Sequence, residues 1–231
     1  MQTFSCACGN TLFFENSQCL RCGSEVGWCP ACRSLTALVA DETGALHCGH
    51  ESCGATLVKC HNYSVENVCN RCLAAAPEIP PVGTLCDHCR FNDTIPDLSL
   101  NDNREKWQRL ESAKRRLLYT LDLLQLPYGT AEDGVEPPLS FDFKSDVVRP
   151  SKWWWSMGTK EVVYTGHADG KITINIREAD SIEREKNRVS LNEAHRTVIG
   201  HFRHEIGHYY WQMLVTGERL EAFKQLLGNH E

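Results

Sequence analysis

Cysteine sets the first constraint on this chain. All thirteen thiols fall between Cys6 and Cys89, and residues 90 to 231 contain none. In order they read Cys6-x-Cys8, Cys19-x-x-Cys22, Cys29-x-x-Cys32, Cys48-x4-Cys53, Cys60 alone, Cys69-x-x-Cys72 and Cys86-x-x-Cys89. A tight C-x-x-C turn places two thiolates on one side of a loop, so two such turns complete the tetrahedron that Zn²⁺ prefers. Gly9 and Gly23 follow their second cysteines, where the backbone commonly turns with positive φ. The odd count argues against complete disulfide pairing. Pairing neighbours predicts a first site of Cys6, Cys8, Cys19 and Cys22 and a second of Cys29, Cys32, Cys48 and Cys53. The third is either Cys69, Cys72, Cys86 and Cys89, or Cys60, Cys69, Cys86 and Cys89. His47, His50 and His61 are close enough in sequence to replace a thiolate. Residues 1–95 should therefore be short hairpins around three metals, with little core of their own, and should unfold on chelation.

The opening Met1-Gln2-Thr3-Phe4-Ser5-Cys6 has no basic and then apolar leader pattern, and no stretch approaches the 18 apolar residues that span a bilayer. The expectation is a cytoplasmic protein without a membrane segment, where reducing conditions favour metal ligation over disulfides. Apolar residues make up 42% and charged residues 23%, which is enough for packed cores. The cysteine boundary divides the chain into a 1–95 zinc-ribbon domain and a 96–231 domain. Residues 1–95 hold five Lys or Arg against nine Asp or Glu, and an acidic module lacks the cations that displace phosphate counterions. A protein contact or a structural role therefore ranks above nucleic acid as the ribbon's business.

Beyond the cysteines, Trp107, Leu110, Leu117, Leu118, Leu121 and Leu124 recur at helical spacing from Asn101 to Leu126. Asn101 or Asp102 caps the start and Pro127 ends it. The basic residues Arg104, Lys106, Arg109, Lys114, Arg115 and Arg116 read as a solvated face balanced by Glu105 and Glu111. Residues 127–160 are irregular and hold Trp153-Trp154-Trp155, to which no function is attached. Glu161 to Ile176 reads as a hairpin in which Val162-Val163-Tyr164 leads to an Asp169-Gly170 turn. Ile172, Ile174 and Ile176 then alternate with polar residues. Its edge is a place where an extended peptide can add a strand.

Arg196 to Leu214 is again helical in period and carries His204-Glu205-Ile206-Gly207-His208. Four residues is just over one turn, so the two histidines project from one face and can share a zinc, with Glu205 beside them to hold the attacking water. His201 lies on a nearby face as a supporting or structural group. The metzincin continuation would need Gly at 211 and His at 214, where this chain has Trp211 and Leu214, so that subclass is excluded.

The run Gly200 to Trp211, together with Thr165 to Ile176, Phe13-Phe14-Glu15-Asn16, Cys19-Leu20-Arg21-Cys22-Gly23 and Thr94 to Ser99, resembles a bacterial family of zinc-binding metallopeptidases with an N-terminal zinc ribbon. The resemblance covers nearly the whole chain. It implies an α+β protein, zinc-ribbon hairpins followed by a zincin-like helix and hairpin domain, with His204 and His208 as zinc ligands and Glu205 as general base. Two departures stand out. Cys6-x-Cys8 is one residue short of the usual knuckle, and Cys29, Cys32, Cys48, Cys53 and Cys72 are additions to the simpler ribbon. The resemblance further implies a longer protein, in which a later helix brings a carboxylate as third ligand.

The expected function is zinc-dependent peptide-bond hydrolysis on a peptide or protein substrate. The alternative is a non-catalytic ribbon scaffold for a protein partner, with a vestigial HExxH helix. A catalytic zinc needs a third protein ligand, and Glu218, Glu221, His230 and Glu231 are the candidates after His208. They follow too soon for a return helix to bring them back, so the coordination sphere within these residues should be incomplete.

Overall fold

The computed structural model describes residues 2–75, 78–100, 102–149, 159–190 and 197–228. Trp153, Trp154, Trp155, His230 and Glu231 lie outside the described residues. The chain forms two compact units, Met1–Arg90 and Phe91–Glu231, and is α+β in class.

In the first unit β1 (Thr3–Ser5) and β2 (Thr11–Phe13) make an antiparallel hairpin whose tip carries Cys6 and Cys8. Gly9 and Gly23 adopt φ of 79° and 73°. Their amides donate to the Cys6 and Cys19 carbonyls at 2.8 Å, closing each knuckle behind its second thiol. Next come β3 (Val26–Cys29), β4 (Ser34–Ala40), β5 (Leu46–Cys48), β6 (Thr56–Lys59) and β7 (Cys72–Ala74), a five-stranded sheet in sequence order and antiparallel throughout. The single turn α1 (His61–Ser64) lies between β6 and β7.

This unit has more core than hairpins around metals require, which corrects the sequence expectation. Phe4 and Phe14 pack edge-on against Trp28, with ring centroids 5.7 and 5.8 Å away. Seven buried thiols, from Cys29, Cys48, Cys60, Cys69, Cys72, Cys86 and Cys89, join Leu38, Leu57 and Tyr63 in one apolar cluster. Sulfur behaves there as a small hydrophobe, so the same side chains that converge as ligands also fill volume.

The second unit runs β8 (Asn92–Thr94), α2 (Asn103–Leu123), β9 (Ser140–Lys144), β10 (Val147–Arg149), β11 (Thr159–Glu161), β12 (Gly166–Ala168), β13 (Lys171–Asn175), α3 (Ser181–Ser190), α4 (Val198–Leu214) and α5 (Glu218–Leu227). Its main sheet has the order β12-β13-β9-β8, in which β13, β9 and β8 are parallel and β12 is an antiparallel edge. The unit begins before residue 95 because Asn92–Thr94 pairs with β9.

Alternation along β9 and β13 sends Phe141, Phe143, Ile172 and Ile174 to the buried face. Phe202 of α4 packs on that face, 5.9 Å from Phe141 and 6.3 Å from Phe143. From α2, Trp107, Leu110, Leu117, Leu118 and Leu121 are buried as the periodicity requires.

Two expectations need correction. Glu111 and Lys114 are not on a solvated face: both are fully buried, with Nζ 2.6 Å from Oε1. Asn92 donates to the other Glu111 oxygen at 3.1 Å and accepts from Lys114. Helix α2 is packed on more sides than its apolar stripe indicates, and the buried charges are accommodated by pairing with each other and with Asn92. The second correction concerns the hairpin. Val162, Val163 and Tyr164 stay outside the main sheet, and Gly166–Ala168 pairs with β13 across Asp169-Gly170, whose φ values are 47° and 82°. A two-residue turn with two positive φ values needs strand residues directly on either side of it.

Candidate metal centres and active site

Three tetrads of thiols converge in the first unit, each with its ligand atoms within 4.8 Å of one another. They are Cys6, Cys8, Cys19 and Cys22; Cys29, Cys32, Cys48 and Cys53; and Cys60, Cys69, Cys86 and Cys89. The Sγ–Sγ distances are 3.7 Å for Cys6–Cys22 and Cys8–Cys19, 3.8 Å for Cys29–Cys53, 3.7 Å for Cys32–Cys48 and 3.9 Å for Cys69–Cys86. A tetrahedron with Zn–S bonds of about 2.3 Å has edges of about 3.8 Å, so the thiols fit zinc. Backbone amides steady the third tetrad: Arg71 N–H donates to Cys69 Sγ at 3.3 Å, Cys86 N–H to Cys60 Sγ at 3.3 Å, and Cys89 N–H to Cys86 Sγ at 3.4 Å.

The tetrads differ in depth. In the first, Cys22 is exposed, and the Ser24 hydroxyl 3.2 Å from its sulfur lowers the thiol to about 6. In the third all four thiols are buried. Of the two sets open for the third site, the fold brings together the one containing Cys60. Cys72, counted among the candidate ligands, joins no tetrad. Its side chain opens β7 and packs against β3, where a Cβ added to Gly27 would lie 2.9 Å from its sulfur. Burial and the neighbouring Cys69 and Cys29 thiols push it up to about 12, so it is a neutral core thiol. None of His47, His50 and His61 joins a tetrad; His47 instead pairs with Asp41 at 2.8 Å.

In the second unit α4 starts at Thr197, whose hydroxyl accepts the Gly200 amide at 3.1 Å as an N-cap. Two turns in, His204 and His208 project from one exposed face with their Nε2 atoms 3.1 Å apart. Two ligands of a tetrahedral zinc at about 2.0–2.1 Å stand about 3.3 Å apart, so this pair also fits the metal. Glu205 is buried at 8% exposure. Among the described residues its carboxylate forms no ligand group with the two imidazoles.

Strand β12 packs against this helix. His167 of β12 stacks on His208, with centroids 6.4 Å apart and planes 13° apart, and meets Tyr209 edge-on at 6.4 Å. Burial, then the adjacent His208, holds the His167 imidazole below its ordinary value. Gln212 donates to Asp169 Oδ1 at 3.1 Å, tying α4 to the hairpin turn. Sequence reasoning assigned His167 no role; its one signal was a histidine two residues before the Asp-Gly turn. His201 faces Glu178, Nδ1 to Oε2 at 3.5 Å.

Helix α5 does turn back, with Phe223 4.6 Å from the Trp211 ring. Even so, neither Glu218 nor Glu221 forms a ligand group with the histidines. Among the described residues no third donor completes a group with His204 and His208.

Residues 103–231 match the family model described as "Putative zinc-binding metallo-peptidase", and residues 3–100 match a zinc-ribbon domain. The chain belongs to this family of zinc-binding metallopeptidases. It is similar to an uncharacterized protein of Mycobacterium tuberculosis and one of Mycobacterium bovis, each 33% identical over 232 residues that cover 99% of this chain. The chain spans 59% of the length of these relatives. No solved structure matches it.

Proposed function

We propose that the second unit is the catalytic part of a zinc-dependent peptidase, with His204 and His208 as metal ligands and Glu205 as general base. The observation that carries this reading is the 3.1 Å approach of the two Nε2 atoms on α4, beside an antiparallel edge strand. Zinc held there by His204 and His208 would supply a Lewis acid for the scissile carbonyl and a water of lowered pKa. Glu205 would serve as the general base beside it, with the leaving amine as the proton's destination. Among the described residues β12 is paired on one side only, and its other edge is where an extended peptide main chain would add. The third protein ligand comes, on this reading, from outside the described residues.

The three thiol tetrads would each hold a structural zinc and stabilise the first unit as a platform for protein contact. Its acidic balance speaks against nucleic acid. None of the thirteen cysteines is in a disulfide, which suits a cytoplasmic location, and no described helix is long and apolar enough to cross a membrane.

The scaffold reading draws on one observation, the missing third donor beside His204 and His208 among the described residues. Metal analysis separates the two. The purified chain should lose one zinc on His204→Ala. Peptide hydrolysis should drop by roughly 10²–10⁴-fold on Glu205→Gln with the metal content unchanged. Equal zinc contents in the wild type and His204→Ala would sink the peptidase reading, and bound zinc without Glu205-dependent hydrolysis would leave the scaffold.

A further inference from the structure

His167 is the group beside the histidine pair that the mechanism above leaves without a task. Its Nε2 lies 3.1 Å from the Gly170 amide nitrogen. An amide N–H only donates, so Nε2 is the acceptor, the imidazole is neutral, and its single proton sits on Nδ1. Among the described residues that Nδ1–H has no protein acceptor, and it is not sealed among the buried polar atoms. It is a donor open to a ligand.

The donor is also held in place. Gly170 sits at φ 82°, so close to Pro138 that an added Cβ would fall 2.2 Å from the Pro138 carbonyl oxygen. The turn that orients His167 is therefore closely packed against Pro138. The Gln212–Asp169 hydrogen bond and the stacking on His208 fix the same hairpin to α4. Donors that need no reorganisation are the ones that stabilise charge developing on a substrate oxygen. A role for His167 as third metal ligand is not supported, because its nitrogens do not form a group within 4.8 Å with those of His204 and His208.

We propose that His167 is the substrate-polarising residue of this site, its Nδ1–H hydrogen-bonding the carbonyl oxygen of a peptide laid along β12 beside the His204–His208 pair. The proposal rests on the peptidase reading, and its test keeps the two apart.

The zinc-loaded full chain, His167→Ala and His167→Asn would be compared in two measurements. One is zinc affinity by chelator competition; the other is affinity for a phosphinic peptide, whose tetrahedral oxygens mimic the hydrated carbonyl. His167→Ala should leave zinc affinity unchanged and weaken the phosphinic peptide by roughly 100-fold, the effect of removing one oxyanion donor. His167→Asn, which keeps an N–H at the δ position, should recover most of that loss. Zinc affinity falling in parallel with probe affinity would reduce His167 to a support for His208 and overturn the proposal. So would a phosphinic peptide indifferent to all three chains while zinc binding still depends on His204, and in that case the metal site would stand. If the wild type holds no His204-dependent zinc, the peptidase reading falls, and this proposal with it.

Discussion

Replacing Cys60 and Cys72 one at a time separates a metal ligand from a core thiol that the cysteine spacing leaves equivalent. Cys60 is fully buried in the third tetrad, and its sulfur accepts the Cys86 amide at 3.3 Å. A structural zinc contributes about 10–16 kcal/mol to small metal domains. Shared evenly over four ligands, that is about 2.5–4 kcal/mol for each thiolate, or roughly 10²–10³ in zinc affinity. The lost acceptor for the Cys86 amide adds about 1 kcal/mol. Cys72 is just as buried, at 1% exposure, but touches Gly27 rather than a tetrad. Cys72→Ala therefore removes one buried atom's packing, about 1–2 kcal/mol. The assay is zinc per chain after equilibration against graded chelator, read beside the urea midpoint. Cys60→Ala should release one zinc at a chelator concentration roughly 100-fold lower than wild type. Cys72→Ala should release zinc with the wild type and shift only the midpoint. The reverse pattern would refute the assignment of Cys60 to the third site.

Lys114→Met removes the ammonium that pairs with the buried Glu111 carboxylate and should cost about 3–5 kcal/mol in urea unfolding; adding Glu111→Leu should recover most of it, and a double variant no better than the single would disprove the pairing. Asp142 is buried, which alone would raise its carboxyl, but Lys144, Thr94 and Lys171 outweigh burial and hold it below the usual carboxylate range. A depressed folded value gives stability that is present above the unfolded value of about 3.9 and lost as pH falls through the folded one. Asp142→Asn should thus destabilise the chain by about 1–3 kcal/mol at neutral pH, with the gap shrinking steadily below about pH 4; a constant gap across that range would contradict the sign. Gly170→Ala meets the Pro138 carbonyl and should cost more than the roughly 1–2 kcal/mol of left-handed strain alone. Wild-type stability of that variant would mean the hairpin is not seated as described.

What could be read without a fold is what depends on neighbours in sequence. The first two thiol tetrads are legible because each knuckle puts its ligands within a few residues, and Gly9 and Gly23 take the positive φ that such knuckles need. His204 and His208 are legible because 3.6 residues per turn stacks positions four apart. The Asp169-Gly170 turn was legible too, although the β-branched Val162–Val163 drew the partner strand to the wrong residues. A two-residue turn leaves no slack, and the pairing of Ala168 with Lys171 follows from the turn itself.

Tertiary structure decided the rest, wherever the deciding partner is distant in sequence. Cys72 completes a C-x-x-C with Cys69 while Cys60 stands alone, yet spacing leaves either able to be the fourth ligand. Only the direction of β7, which turns Cys72 toward Gly27 of β3, removes it from the metal. Lys114 lies in a basic run that locally reads as solvated. The sheet and Asn92 close over it, and burial is a property of the surfaces that meet rather than of the helix that carries the residue. His167 becomes a candidate for substrate only because β12 is the edge strand against which α4 packs. Side-chain spacing encodes which groups share one element, while long-range pairing settles which elements share a site.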